Sequence, residues 1–245
     1  MAAFLACDGY QTSAQITQDW LKQVWPKMLR QGVDGLMGFY IGADEKDSKN
    51  NILSIVQGGL TLGQKDYYLD QDPETAKIRE AYVAYIRQLV SHVGFGETDA
   101  ARISDDVIRI ETRLAKTSKS MTELRDPEAN YHKMSYDQLK KDFAGIDWDA
   151  YLHIFGISGL KDVIVGQPEA IHEVEKILAE ETPEALQNVY LWHAIDMAAG
   201  YVDDESRNLS FAFWGTALSG KTQDRPRWKR AVSSVEGCLG EALGQ

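Results

Sequence analysis

Cysteine is nearly absent from this 245-residue chain: Cys7 and Cys238 stand at opposite ends, a spacing that fits neither a zinc-finger pattern nor a disulfide framework. Long apolar runs are missing too. The opening Met1-Ala-Ala-Phe-Leu-Ala-Cys meets Asp8 and Gly9 at once, with no basic stretch before it, so neither an export signal nor a membrane anchor is legible. Positive charge is scarce: 26 lysines and arginines against 37 aspartates and glutamates leave a formal charge of −11. Such a field repels a phosphate backbone or an anionic lipid surface, which excludes nucleic acid and a membrane segment from the expected partners. No G-x-S-x-G, phosphate-binding P-loop or G-x-G-x-x-G is read along the chain, and nucleophilic-hydrolase and nucleotide-binding functions are not expected.

The shortage of metal-binding spacings is the most informative absence. His92, His132, His153, His172 and His193 are spread out, and no two have the i, i+4 spacing that lets two imidazoles on one helical face share a zinc ion. His172-Glu173 begins an H-E-x-x-H pattern, but its fifth position is Lys176, whose ammonium repels a cation. His193 falls on an apolar helical stripe and reads as a core histidine. Glu111, with Arg113 and Lys116 nearby, reads as a solvated or ion-paired carboxylate. Asp44, Glu45 and Asp47 sit close together but lack the glycine and distal glutamate of a calcium loop. The residues by themselves therefore yield no catalytic, cofactor-binding or metal site.

What is present reads as mainly α with a small β-hairpin. Ile16, Trp20, Leu21, Val24, Trp25, Met28 and Leu29 give an amphipathic helix over 12–31, kinked at Pro26 and ended by Gly32. A hairpin spans 38–57, with the polar stretch 43–51 as its loop. Helical stripes follow, Ile78 to Leu89 and Ile103 to Ala115. The stripe-free stretch 117–130 reads as a linker. Beyond it, Ser135 with Gln138 forms a capping box, Asp147 caps a helix, and 162–165 is a short strand. Pro168 opens a helix, and Thr182-Pro183 opens a long one through Leu186, Val189, Tyr190, His193, Met197 and Tyr201. Further helices run through Phe211, Trp214 and Leu218 to Gly220, and from Arg225 toward Leu243.

Ser54 to Leu69, SIVQGGLTLGQKDYYL, contains the string Q-x-G-L-x-L-x-x-K-D-Y-Y-L. It resembles the amino-terminal region of the neprilysin and endothelin-converting-enzyme family of zinc metallopeptidases. Other segments agree in the same order: Phe39 to Ile55 as strand, loop and strand; Glu111 to Ala115 as E-x-x-L-A; Arg125-Asp-Pro with Tyr131, Lys133 and Met134; and Phe211, Gly215 and Leu218. The last is Arg227-Trp-Lys-Arg followed by Ala242-Leu-Gly. Gly63-Gln-Lys, and the lack of the cysteines that stitch the animal ectodomains, bring the bacterial PepO-type endopeptidases nearest.

The resemblance implies a two-lobed, mainly α-helical zinc enzyme that cuts oligopeptides in a cavity between its lobes, outside the cytoplasm. It implies 1–117 as part of the catalytic-lobe scaffold, 118–125 as an inter-lobe linker and 126–245 as part of the second, cavity-capping lobe. The family's N-A-(Y/F), H-E-x-x-H and E-x-x-x-D segments lie beyond the A-L-G string. Zinc and its ligands are therefore expected in a carboxy-terminal catalytic segment outside this chain, which alone is expected to be inactive and to expose an apolar surface. An independent helical binding protein sharing the fold is the alternative reading.

Overall fold

The structure, a computed structural model, describes residues 27–244. Most of the expected 12–31 helix, Pro26 included, lies outside the described residues; residues 27–30 are helical, and Gly32 follows at φ +89°. Strands β1 (Met37–Asp44) and β2 (Asp47–Gln57) then form an antiparallel hairpin. The polar stretch expected to be a loop is mostly strand, with Ala43 opposite Asn51 and a tight turn at Glu45 and Lys46. Asp44 makes that turn possible by accepting the Lys46 amide at 3.0 Å.

Short α1 (Asp66–Leu69) leads to α2 (Pro73–His92) and α3 (Glu97–Thr117). Next come β3 (Lys133–Ser135), α4 (Tyr136–Asp142), α5 (Trp148–His153) and β4 (Asp162–Val165). The chain continues through α6 (Pro168–Glu180), α7 (Pro183–Val202) and α8 (Asp204–Ser210). A π-helical stretch, Phe211–Ala217, extends α8, and α9 (Arg227–Leu243) closes the described chain. Local chemistry sets many of these starts. Asp72, Asp147, Thr182 and Asp203 each accept an orphan amide of the first turn they cap, and Pro73, Pro168 and Pro183 occupy first-turn positions where no amide bond is lost. Ser135 accepts the Gln138 amide, but the Gln138 side chain turns to Asp142 rather than back to the cap, so only half of the expected box forms.

The division expected at 118–125 is not how the described residues pack. The sheet order is β1-β2-β4-β3, with β4 running parallel beside β2, so strands from both sides of the expected linker share one sheet. Helix α3 packs against α6 and α7 from the later part of the chain, and one core joins Leu53, Ile55, Leu114, Val163, Ile171 and Val189. Nor is 118–125 loose. Gln57 donates to the Lys119 carbonyl and accepts its amide, and the Lys119 ammonium reaches the Ala129 carbonyl and Asn130. A stripe-free stretch has no apolar reason to pack; here side-chain amides satisfy its backbone instead. Helix α7, buried over most of its circumference, runs through this body with α2, α3 and α8 around it.

Candidate functional site

Two glycines in the motif after β2 let the chain close on its neighbours, Gly58 on the start of β1 and Gly59 on α3. A Cβ on Gly58 would stand 2.9 Å from the Gly38 nitrogen, and one on Gly59 would stand 2.8 Å from Leu114 Cδ1 and 2.9 Å from Leu36 Cα. Gly59 also sits at φ +75°, where a side chain is strained. This close approach delivers Thr61 and Tyr68 to Glu111, which lies in the middle of α3 and is fully buried.

Glu111 is the centre of a directional network. Thr61 Oγ1 donates to its Oε1 at 2.5 Å. The Tyr68 hydroxyl accepts the Leu62 amide at 3.0 Å, leaving its proton for Glu111 Oε2 at 2.6 Å. The Tyr82 hydroxyl accepts Trp192 Nε1 at 2.8 Å and gives its own proton to Glu111 at 3.1 Å. His193 Nδ1 faces the Asp34 carbonyl at 2.8 Å, an acceptor only, while Nε2 faces Glu111 Oε1 at 3.2 Å. Three hydroxyls point at the Glu111 carboxyl and both ring nitrogens of His193 face oxygen acceptors, the geometry of a charge-assisted pair. Burial works against a charged His193, yet the Glu111 carboxylate and the Asp34 carbonyl raise its pKa above the ordinary histidine value. Burial, and then the nearby carboxylate, push Tyr68 and Tyr82 well above the ordinary phenol range, which keeps both as donors.

Of the two expectations for Glu111, solvated or ion-paired, the structure favours the second, with His193 as the partner, while Arg113 points to Glu173, Glu180 and Glu181. His193, expected as a core histidine, is buried with the Asp34 carbonyl and Glu111 as its partners. A signal for the pairing did exist, since Glu111 shares one helical face with Val107, Leu114 and Ala115, where a lone carboxylate needs a buried partner.

Thr61, His193 and Asp34 line a cavity of about 310 Å³ together with Asp196, Met197 and Trp214. Asp196 accepts from the Tyr85 hydroxyl at 2.5 Å and from Trp214 Nε1 at 3.0 Å, and burial raises its pKa. Asp196, Met197 and Trp214 also wall an open cleft of about 820 Å³ that carries Arg207, Lys221, Arg225, Arg227 and Arg230 on its other sides. Every donor in the Glu111 cluster is already committed, so its chemistry is to hold α3, α7 and the Thr61 loop together rather than to move a substrate proton.

The remaining histidines are dispersed. His92 pairs with Asp203 at 3.1 Å, His132 Nδ1 meets the Val165 carbonyl at 2.9 Å, and His153 is exposed. His172 pairs with Glu175 at 2.9 Å and stacks on Phe143. Among the described residues no group of three His, Cys, Asp or Glu side chains is arranged to hold a metal ion. The expectation of no phosphate-binding loop needs correction at the level of the string, since Gly215 to Thr222, GTALSGKT, has the G-x-x-x-x-G-K-T spacing. The structure uses it differently. Gly215 ends in a π-helix beneath the Phe211 ring rather than after a strand, and the amides of Leu218, Gly220 and Lys221 bond to the carbonyls of Phe213, Thr216 and Gly215. Those three amides are therefore not turned toward a phosphate.

Comparison with known proteins agrees with the fold. Residues 5–245 match Peptidase family M13 in its amino-terminal region. Endothelin-converting enzyme 1 of Mus musculus is 30% identical over 210 residues, 84% of this chain and 27% of that protein. A crystal structure of the Mycobacterium tuberculosis zinc metalloprotease Zmp1 with an inhibitor superposes at TM-score 0.90 with 28% identity, over 99% of this chain and 36% of that one. PepO of Lactobacillus rhamnosis HN001 shares the fold at TM-score 0.72 and 18% identity, over 96% of this chain and 36% of that one. The chain thus spans about a quarter to a third of the length of these relatives. Its collinear motifs, its mainly α architecture with a four-stranded sheet and these matches agree: the chain belongs to peptidase family M13, as an amino-terminal portion of the neprilysin-like fold.

Proposed function

We propose that the chain is the non-catalytic amino-terminal part of a zinc metalloendopeptidase that hydrolyses oligopeptides, and that it supplies scaffold and one wall of the substrate cavity. The superposition of nearly the whole chain on Zmp1 carries this reading. Zinc, in this reading, is held by residues outside this sequence, which contains no H-E-x-x-H string. No catalytic or metal-binding role falls to the residues described here. The Glu111–His193 pair and the two glycines of the Q-G-G-L string keep this wall rigid. Kinship with the family also supports a location outside the cytoplasm; among the described residues no helix is long and apolar enough to cross a membrane.

The test is direct. Purified 245-residue chain, incubated with zinc and a quenched-fluorescent oligopeptide, is expected to retain no stoichiometric zinc and to show no chelator-sensitive cleavage. Coding sequence downstream is expected to carry H-E-x-x-H in frame. Zinc-activated cleavage by the chain alone, surviving substitution of His172, overturns the reading.

A further inference from the structure

The chain carries 26 lysines and arginines against 37 aspartates and glutamates, yet the open cleft of about 820 Å³ between α7, α8 and α9 reverses that balance. Arg207, Lys221, Arg225, Arg227 and Arg230 line it, and among the described residues the acids beside them are Asp196 and Asp224. Asp196 is already bonded to Tyr85 and Trp214. Asp224 Oδ2 takes Arg207 Nη1 at 3.0 Å and Arg230 Nη1 at 3.1 Å, which fixes both guanidinium groups. Three cations are left over. Arg225 Nη1 reaches Ser233 Oγ, a neutral acceptor, at 3.3 Å. Among the described residues Lys221 Nζ and the Arg227 guanidinium have no acceptor, and Arg207 Nε is buried without one. The first turn of α9 holds no acidic side chain, so the positive end of the helix adds to the field. Like charges gathered around one cleft repel one another, and an anion among them relieves that repulsion.

We propose that this cleft binds a short acidic peptide segment, its carboxylates taken by Lys221, Arg225 and Arg227 and its apolar side chains by Met197, Tyr201 and Phe211. The apolar part is present in the same cleft, where Met197 and Tyr201 are exposed beside Phe211 and Trp214. Guanidinium forks take a planar carboxylate through two parallel bonds. Phosphate is the poorer ligand on two counts. The amides of GTALSGKT that would cradle it are bonded to carbonyls instead. A nucleic acid strand, moreover, runs past the cleft onto a chain of net charge −11, whereas screening over about 8 Å leaves a short peptide with the local cations. Such binding goes beyond the peptidase reading and stands without it, because it needs neither zinc nor cleavage.

The test uses the 245-residue chain and the fluorescence anisotropy of a fluorescein-labelled peptide of alternating glutamate and leucine, with a peptide of alternating glutamine and leucine as control. The glutamate peptide is expected to bind about tenfold or more tighter than the control, and to weaken as salt is raised. Lys221→Gln and Arg227→Gln, at exposed positions, should each weaken it on the order of tenfold with the thermal midpoint unchanged. Lys229→Gln should change it by less than about twofold, since Lys229 lies over the Trp228 ring outside the cleft. Equal losses at 227 and 229 reduce the effect to general charge attraction and overturn the proposal, as does equal binding of the two peptides. Tripolyphosphate or a single-stranded oligonucleotide that displaces the probe at lower concentration than unlabelled peptide does assigns the cleft to phosphate and overturns it too. Asp8 and Asp19, outside the described residues, are acids of this chain that could compete for the cleft. Binding strengthened about tenfold in Asp8→Asn/Asp19→Asn gives the cleft to them and overturns the proposal. Any of these failures leaves the proposed function standing, since zinc retention and peptide cleavage decide that separately.

Discussion

Glu111 and His193, on different helices and 82 positions apart, face each other at 3.2 Å with neither side chain appreciably in contact with water. Removing one partner of such a pair leaves a buried charge uncompensated, at a cost of about 3–5 kcal/mol. Glu111→Gln is expected to lower unfolding free energy by that amount in denaturant titrations. A loss within experimental error would mean that the pair is not ionic.

The same pair gives a pH signature with a defined sign. His193 has a folded-state pKa above its ordinary value of 6.5, so its stabilisation is fully present below that value and is lost as pH rises through the raised pKa. Facing it are Glu111, the Asp34 carbonyl and, across the cavity, Asp196. Unfolding free energy measured from about pH 6 to about pH 9 should decline in the wild type and more weakly in His193→Gln. Parallel curves would remove His193 as the source.

Asp44 supplies the opposite sign. It accepts Lys133 Nζ and the Tyr131 hydroxyl, both at 2.7 Å, tying the hairpin tip to the start of β3 and to Tyr131 just before it. The Lys133 hydrogen bond, then that of Tyr131, lower its pKa from 3.8 to about 2. Its contribution is present above 3.8 and lost as pH falls toward 2. The gap in thermal midpoint between wild type and Asp44→Asn should be open at neutral pH and close through that acid window.

Gly59 and Gly63 separate backbone strain from crowding. Both have positive φ, +75° and +76°, but a Cβ at Gly63 meets nothing within 4 Å, whereas one at Gly59 strikes Leu114 and the Leu36 backbone. Gly63→Ala should cost about 1–2 kcal/mol and Gly59→Ala a further 1–3 kcal/mol or so. Equal costs, read by chemical denaturation, would contradict the close approach of the motif loop to α3.

Limited trypsin digestion should begin at Lys221, in the exposed stretch between the π-helical segment and α9. Lys119 is held by Gln57, and Arg125 lies in a short 3₁₀ turn bonded to Asn130 and its neighbours. First cleavage at Lys116, Lys119 or Arg125, identified by mass spectrometry, would restore an open linker there.

Much of the helical content is legible from the sequence because its causes are local. Apolar stripes at Ile103 to Ala115 and Leu186 to Tyr201, the caps at Asp147 and Thr182, and the prolines at 168 and 183 act within a few residues of where they stand. The Q-G-G-L string is legible too, as a family signature, whereas the crowding that excludes a Cβ there is seen only in the folded chain. Tertiary structure decided what depends on faces meeting across long stretches of chain. Parallel pairing of β4 with β2, the pinning of 118–125 by Gln57, and the ionic state of Glu111 and His193 each require partners more than sixty positions away. Periodicity says which side of an element is apolar; it carries no information about which apolar sides meet. A carboxylate beside arginine and lysine in sequence therefore reads as solvated or ion-paired without naming its partner, and folding places it among two tyrosines, a threonine and a histidine.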